Sequence, residues 1–201
     1  MTVLELNAAV ASRLDAQQLR IVEAALRCVA RWGIAKTTLD DVARESGLSR
    51  ATVYRAVPGG KDGLVELVVD AELAQFFAAV TGAAENAETL EDALVAAMTE
   101  ATRRLRSHPG LQFVLAHEPE HVLPRIAFGH LDDVLRHVAG VATPFLVRWL
   151  PERDAELTAE WITRIVLSYA TTSSASFELT DPESTRRLVR TFVLPGLAVH
   201  A

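Results

Sequence analysis

Apolar positions recur along the chain at the three- and four-residue spacing of amphipathic helices. The first such stripe contains Leu19, Val22, Leu26 and Val29 and predicts a helix over about 16–32, which Gly33 ends. Neither the two-residue alternation of strands nor an internal repeat is found. The pattern therefore predicts an all-α protein.

Capping residues and helix breakers divide the rest of the chain into further predicted helices. Thr38 is expected to cap a short helix that Gly47 breaks, and Ser49 to cap a third that runs to about Ala56. After the turn at 58–60, longer helices are predicted over about 61–83, 89–107, 131–150 and 155–177, with short pieces within 111–128. A last helix follows Asp181-Pro182 and stops near residues 195–196.

Composition agrees with a helical protein of one large or two small domains. The chain has 201 residues, half of them hydrophobic but only 6% aromatic. Its single cysteine, Cys28, allows no intramolecular disulfide, which favours a cytoplasmic location. There is no N-terminal signal-peptide pattern, and no apolar run approaches the roughly 20 residues of a membrane span. We therefore expect no membrane partner.

Charge is distributed unevenly along the chain. The formal net charge is −6, but residues 13–61 carry nine Lys/Arg against five Asp/Glu. From Asp62 onward there are eleven basic and twenty acidic residues. A basic segment on an acidic body suits a protein that places one end on DNA.

Residues 37–61 combine two short predicted helices with a tight turn, which is helix-turn-helix geometry. Gly47 supplies the positive φ of the turn, and Leu48 and Val53 are expected to anchor the second helix on the first. The outward residues suit a major groove, since they offer guanidinium groups, hydroxyls and a small methyl: Ser49, Arg50, Ala51, Thr52, Tyr54 and Arg55. Lys61 begins the next helix, where its charge adds to amides facing the DNA backbone.

A family resemblance is carried by four runs: Leu39-Asp40-Asp41-Val42-Ala43, Gly47-Leu48-Ser49, Ala51-Thr52-Val53-Tyr54-Arg55 and Lys61-Asp62. Together they resemble the DNA-binding domain of the TetR family of repressors, and the likeness covers roughly residues 16–70. The resemblance implies DNA contacts by Thr38, Arg50, Ala51, Thr52, Tyr54, Arg55 and Lys61. The sequence departs from the usual family pattern at Ala56 and Val57, where aromatic residues (at Ala56 also histidine) are common, and in a turn before Lys61 that is one residue longer.

The resemblance also implies a division of the chain and its partners. We predict a flexible arm over 1–13, a helix-turn-helix domain over 14–60, and a ligand-binding and dimerisation domain over 61–201. The expected partners are a palindromic double-stranded DNA operator, a small-molecule effector and a second copy of the chain. The predicted dimer interface comprises Leu135, Val138, Trp161, Ile165, Ser168 and Thr172. A single monomeric core is the alternative interpretation of these apolar stripes.

The resemblance also implies an effector pocket that the central helices enclose. The candidate lining residues have large, mostly apolar side chains, which favours an apolar effector such as a lipid-like compound. They are Phe77, Met98, Leu105, Phe113, Val114, His117 and Phe128. Each of these residues could instead belong to an ordinary core.

Enzymatic and metal functions are weaker alternatives, and we predict no catalytic residue, cofactor or metal site. The run His117-Glu118-Pro119-Glu120-His121 matches the HExxH pattern of zinc hydrolases, but Pro119 disfavours the continuous helix that this chemistry needs. The sequence also allows a regulatory metal site at His108, His117 or His121. A further alternative is a helical protein-interaction module that does not bind DNA.

Overall fold

The computed structural model describes residues 15–118 and 131–198, and every regular element in these stretches is helical. In chain order the helices are α1 (Ala16–Lys36), α2 (Leu39–Ser46), α3 (Arg50–Ala56), α4 (Gly60–Ala84), α5 (Leu90–Ser107), α6 (Pro109–His117), α7 (Leu131–Leu146), α8 (Glu152–Thr171) and α9 (Pro182–Leu188). A π-helical turn (Val189–Val193) continues α9 into α10 (Leu194–Ala198). The predicted all-α fold is confirmed.

Three helix starts use the side chains that the sequence indicated. The Thr38 hydroxyl accepts the Asp41 amide at 3.2 Å, and the Asp41 carboxylate accepts the Thr38 amide, which completes a capping box at α2. Ser49 Oγ accepts the Thr52 amide at 3.1 Å and starts α3. Asp181 caps α9 with Pro182 at the first helical position.

Several predicted helix ends differ from the structure, and the helix predicted over about 131–150 ends at Leu146. Gly33 breaks the helical geometry of α1 at φ 83°, but helical backbone resumes and α1 ends at Lys36. The helix predicted over 155–177 begins earlier, at Glu152, and ends at Thr171. Beyond it, Ser174 Oγ accepts the amides of Ser176 and Phe177, so a local side-chain bond replaces the helical partner.

The described residues form two compact units, each with its own core. The head unit comprises residues 15–75 and 108–118, and the body unit comprises 76–107 and 131–198. Helix α4 therefore contributes its first part to the head unit and its last part to the body unit. The domain division predicted from the sequence remains a prediction, and the head unit defined by contacts also includes α6.

The head unit is built around α1, against which α2 and α6 pack. Its buried core is small and aliphatic: Ile21, Ala24, Ala25, Cys28, Leu39, Val42, Ala43, Val53, Val57 and Leu64. Cys28 is 1% exposed, and burial raises the pKa of its thiol.

The body unit packs α8 against both α7 and α5, with α9 on α5. Its core is larger and contains Leu94, Val95, Met98, Ala101, Leu146, Ala155, Ala159, Ile162, Val166, Leu179, Leu188, Val189 and Val193. Among the described residues, no helix combines the length and the apolar character needed to cross a bilayer.

Candidate nucleic-acid interface

The turn between α2 and α3 fixes the second helix on the first. Gly47 lies in the left-handed region at φ 68°, and its amide donates to the carbonyls at the end of α2. Leu39, Val42 and Val53 are at most 5% exposed and form the contact between the two helices and α1. This is the helix-turn-helix geometry that the sequence predicted.

The face of α3 that points away from this core is accessible. Ala51, Tyr54 and Arg55 are exposed, and Tyr54 retains 54% of its surface. Tyr54 and Arg55 make no side-chain hydrogen bond or ion pair with any other residue in the described ranges. A phenol, a guanidinium group and a small methyl group are thus available together. The first two can donate hydrogen bonds to bases and phosphates, and the methyl group can make an apolar contact with a base.

Arg50 is exposed but paired. Its guanidinium group donates to the carboxylate of Asp40 on α2, and the two side chains are 70% and 32% exposed. An ion pair this exposed stabilises a protein by only about 0–1 kcal/mol. DNA can therefore compete with Asp40 for Arg50 at small cost.

The predicted hydroxyl contacts lie at the starts of α2 and α3 and already serve helix capping. The Thr38 hydroxyl donates to Asp41 at 2.6 Å, and this hydrogen bond is the main cause that lowers the pKa of the Asp41 carboxyl. The hydroxyls of Ser49 and Thr52 lie 2.8 Å apart at the start of α3. Their contacts with DNA remain predictions.

Lys61 lies in the first turn of α4 with an exposed side chain. Its Nζ donates to the carbonyl oxygen of Ala35 at 2.6 Å. One of the three ammonium protons is thereby used in the hydrogen bond to Ala35, and the remaining two are available to a phosphate.

The HExxH pattern does not form a continuous helix. Helix α6 ends at His117, and Glu118 has non-helical dihedral angles, φ −135° and ψ 49°. The Glu118 carboxylate instead accepts backbone amides of α1, and the His117 ring stacks on Phe113. His121 lies outside the described residues, among which no group of three or more His, Cys, Asp or Glu is placed to hold a metal ion.

The candidate effector residues fall into different units. In the body unit, Met98 is 1% exposed within the core, Leu105 packs against that core, and Phe77 is buried beside His137 at a ring distance of 5.1 Å. Phe113, Val114 and His117 belong to α6 in the head unit, and Phe128 lies outside the described residues.

A surface groove of about 340 Å³ lies elsewhere in the body unit. Charged side chains line it, namely Asp92, Glu100, Arg103 and Arg186, together with Val95 and Thr99. None of the candidate effector residues contributes to this groove.

The predicted dimer residues divide between core and surface. Leu135 is 9% exposed, and Ile165 packs against the body core, whereas Trp161 is 63% exposed and Ser168 and Thr172 are also exposed. Sequence reasoning missed two exposed apolar side chains, Leu157 (44%) and Phe192 (65%). Leu157 could have been found, because it precedes Trp161 by four residues and shares its helical face.

Comparison with known proteins gives the same assignment as the geometry. Residues 21–68 match the family model described as bacterial regulatory proteins, tetR family. The matched segment runs from α1 into α4 and includes the whole helix-turn-helix.

Relatives extend the likeness over most of the chain. An uncharacterised HTH-type transcriptional regulator of Mycobacterium bovis is 27% identical over 162 residues, which are 81% of this chain and 82% of that protein. The TetR family repressor AlkX from a Dietzia strain superposes with a TM-score of 0.66 at 20% identity, covering 93% of this chain and 97% of that one. The regulator FadR from Bacillus subtilis, solved in complex with stearoyl-CoA, gives 0.61 at 17% identity, covering 87% and 98%. At these identities the two structures show a shared fold.

Proposed function

Since the chain belongs to the TetR family of bacterial regulatory proteins, we propose that it is a dimeric repressor released from a palindromic operator by a small apolar effector. The observation that carries the proposal is the accessible face of α3. It presents Ala51, Tyr54 and Arg55 from a helix whose opposite side is locked into the head core by Val53.

Within this proposal the residues divide by chemistry. Arg50 and Arg55 read base edges or phosphates, and Ala51 allows close approach to a thymine methyl. Tyr54 and Lys61 contact phosphates, which position the head without carrying sequence information. The exposed pair between Arg50 and Asp40 opens on binding, because the phosphate field replaces the attraction of a single carboxylate.

A dimer supplies the second half-site. One recognition helix contacts too few bases for specificity, and two copies related by a two-fold axis read half-sites about 34–36 Å apart. The exposed side chains of Leu157, Trp161 and Ser168 on α8, with Thr172 directly after the helix, support an interface there. An exposed tryptophan of this kind is typical of protein interfaces.

An apolar effector is supported by the chemistry of a structural neighbour and by the candidate lining. The similarly folded FadR from Bacillus subtilis was solved with stearoyl-CoA. In this chain Phe77 and its neighbour Phe76 form an edge-to-face pair at 5.3 Å in the body unit. By linkage, effector and operator weaken each other's binding by the same factor, typically about 5–150-fold.

The first test is selection of a duplex from a random-sequence library by the purified protein, followed by binding at two salt concentrations. Specific, salt-sensitive binding to a palindromic sequence supports the proposal. Acyl-CoA compounds are then added, and weaker operator binding is the expected result. Failure to select any sequence at low salt contradicts it and favours a helical interaction module.

The two tyrosines of the chain provide a matched pair of variants. Tyr54→Phe should weaken binding to all sequences alike, because a lost phosphate contact carries no base information. Tyr169→Phe in the body unit should leave DNA affinity unchanged. A change of sequence preference in Tyr54→Phe would contradict the assigned role.

A further inference from the structure

The Glu118 carboxylate accepts hydrogen bonds from two backbone amides at the kink of α1. Its Oε2 accepts the amide of Ile34 at 2.8 Å, and its Oε1 accepts the amide of Ala35 at 3.3 Å. Gly33 just before them has φ 83°, which turns two successive amides outward as a small anion cradle. A Cβ on Gly33 would stand 2.5 Å from Oε1, so the carboxylate is seated directly on the glycine.

The same short segment is also held by a cation. Lys61 Nζ donates to the carbonyl oxygen of Ala35, the residue whose amide Glu118 accepts. One peptide segment thus receives an anion from the end of α6 and a cation from the start of α4. All of these groups belong to the head unit.

Resting on the proposed function, we infer that Glu118 is a positioning residue for operator binding, which acts through residues 34–35 on Lys61. The carboxylate fixes the two amides, and the fixed Ala35 carbonyl orients the Lys61 ammonium for a phosphate. Charge-assisted hydrogen bonds of this kind are about twice as strong as neutral ones, so the segment has a defined position before DNA arrives.

The inference predicts an effect opposite to simple electrostatics. Removing a negative charge from a DNA-binding head should tighten binding, because it raises the positive potential met by the phosphates. Loss of a positioning carboxylate should weaken binding. Glu118→Gln separates the two effects, since it keeps the shape but turns an amide donor toward at least one backbone donor.

The matched control is Glu66→Gln, an exposed carboxylate on α4 in the same unit. It should leave affinity unchanged or tighten it slightly. Glu118→Gln should weaken binding to the selected duplex and to a scrambled duplex by a similar factor, about tenfold. The slope of log affinity against log salt should fall by about 0.9, the loss of one phosphate contact.

A double-mutant cycle with Lys61→Met tests the route. If Glu118 acts through Lys61, then Glu118→Gln should have little further effect in the Lys61→Met background. Fluorescence anisotropy with the labelled duplexes gives the four affinities, at a temperature where circular dichroism shows all proteins folded. Amide hydrogen exchange at Ile34 and Ala35 should be slow in the wild type and fast in Glu118→Gln.

Three outcomes would overturn the inference. The first is an affinity of Glu118→Gln that is unchanged or tighter, as in the control. The second is an equal loss with and without Lys61, and the third is exchange of the two amides as slow in the variant as in the wild type. If the wild type selects no duplex, the proposed function fails first, and the role in DNA binding falls with it. A wild type that binds without the coupling removes the role of Glu118 alone.

Discussion

The Nε2 atom of His108 lies 2.7 Å from Oε2 of Glu72, and Nδ1 of the same ring accepts the Leu111 amide at 2.9 Å. An accepting Nδ1 carries no proton, so the proton is on Nε2 and is donated to Glu72. One imidazole therefore caps α6 and ties it to α4. Because Glu118 ties the other end of α6 to α1, this helix is anchored at both ends within the head unit.

Removal of the imidazole should destabilise the head unit. We expect His108→Ala to lower the free energy of unfolding by about 1–2 kcal/mol, since both the cap and the bond to Glu72 are lost. His108→Asn keeps a capping oxygen but is too short to reach Glu72, so its loss should be smaller. Urea unfolding measures both values. Equal stability of His108→Ala and the wild type would show that the two bonds contribute nothing.

Gly33→Ala should be among the more damaging single-methyl changes in the head. Its backbone, at φ 83° and ψ 170°, lies in a region that costs other residues about 1–3 kcal/mol, and the new methyl would displace Glu118. The control is Gly82→Ala in α4, which has open space around it and should stabilise by up to about 1 kcal/mol. Thermal melting compares them. A Gly33→Ala protein as stable as the wild type would exclude the positive φ.

Asp40→Asn should tighten DNA binding. The change frees Arg50 from its carboxylate partner and removes a negative charge beside the recognition helix, so we expect about two- to fivefold higher affinity at low salt. The gain should shrink as salt rises and should be reduced in an Arg50→Ala background. Mobility shifts of the four proteins test this. A gain of the same size without Arg50 would mean that the ion pair is not what restrains binding.

Acid stability of the body should depend on Glu178. Hydrogen bonds from Arg106, and then from Thr180, lower the pKa of this carboxyl to about 2, against about 4.3 in an unfolded chain. Its contribution is therefore complete above about pH 4.3 and is lost as the pH falls through about 2. In both Glu178→Gln and Arg106→Met, the free energy of unfolding should decrease less steeply as the pH falls from about 4.3 to about 2. Denaturant titrations between these pH values give the slope, and an unchanged slope would contradict the assignment.

Trp161→Glu should convert the proposed dimer into monomers. The tryptophan is 63% exposed on α8 beside the exposed Leu157, and a carboxylate there would be buried without a partner on association. Val147→Glu replaces an apolar side chain of 45% exposure outside the predicted interface and should leave the dimer intact. Sedimentation velocity over a concentration series distinguishes the two. Dissociation of both variants would show that any added charge is sufficient.

Local features of the fold were predictable from the sequence, because they depend on residues a few positions apart. Thr38 with Asp41, Ser49 with Thr52, and the left-handed Gly47 all follow from short-range capping and turn chemistry. The end of α8 at Thr171 was not predicted, since its small hydroxyl residues favour a helix or a turn according to which backbone groups they meet.

The polar ties of the head were not predictable. Glu118 and Ile34 are 84 positions apart, and no local periodicity reports such a contact. Arg50 was assigned to DNA from its residue type, but its pairing with Asp40 depends on the angle at which α3 crosses α2. The same limit applies to the effector lining, where apolar character alone could not separate Met98, a core residue, from residues that line a cavity.

The burial of Cys28 makes the protein suitable for site-specific labelling. A thiol with 1% exposure and a raised pKa reacts slowly with maleimides, so the native cysteine need not be removed. A cysteine introduced at the exposed Arg44 of α2 would then be the fast-reacting sulfur of each chain. If a spin label is attached to this cysteine, a dimer carries two labels. The distance between them would report the separation of the two head units, with operator or effector added to the same sample.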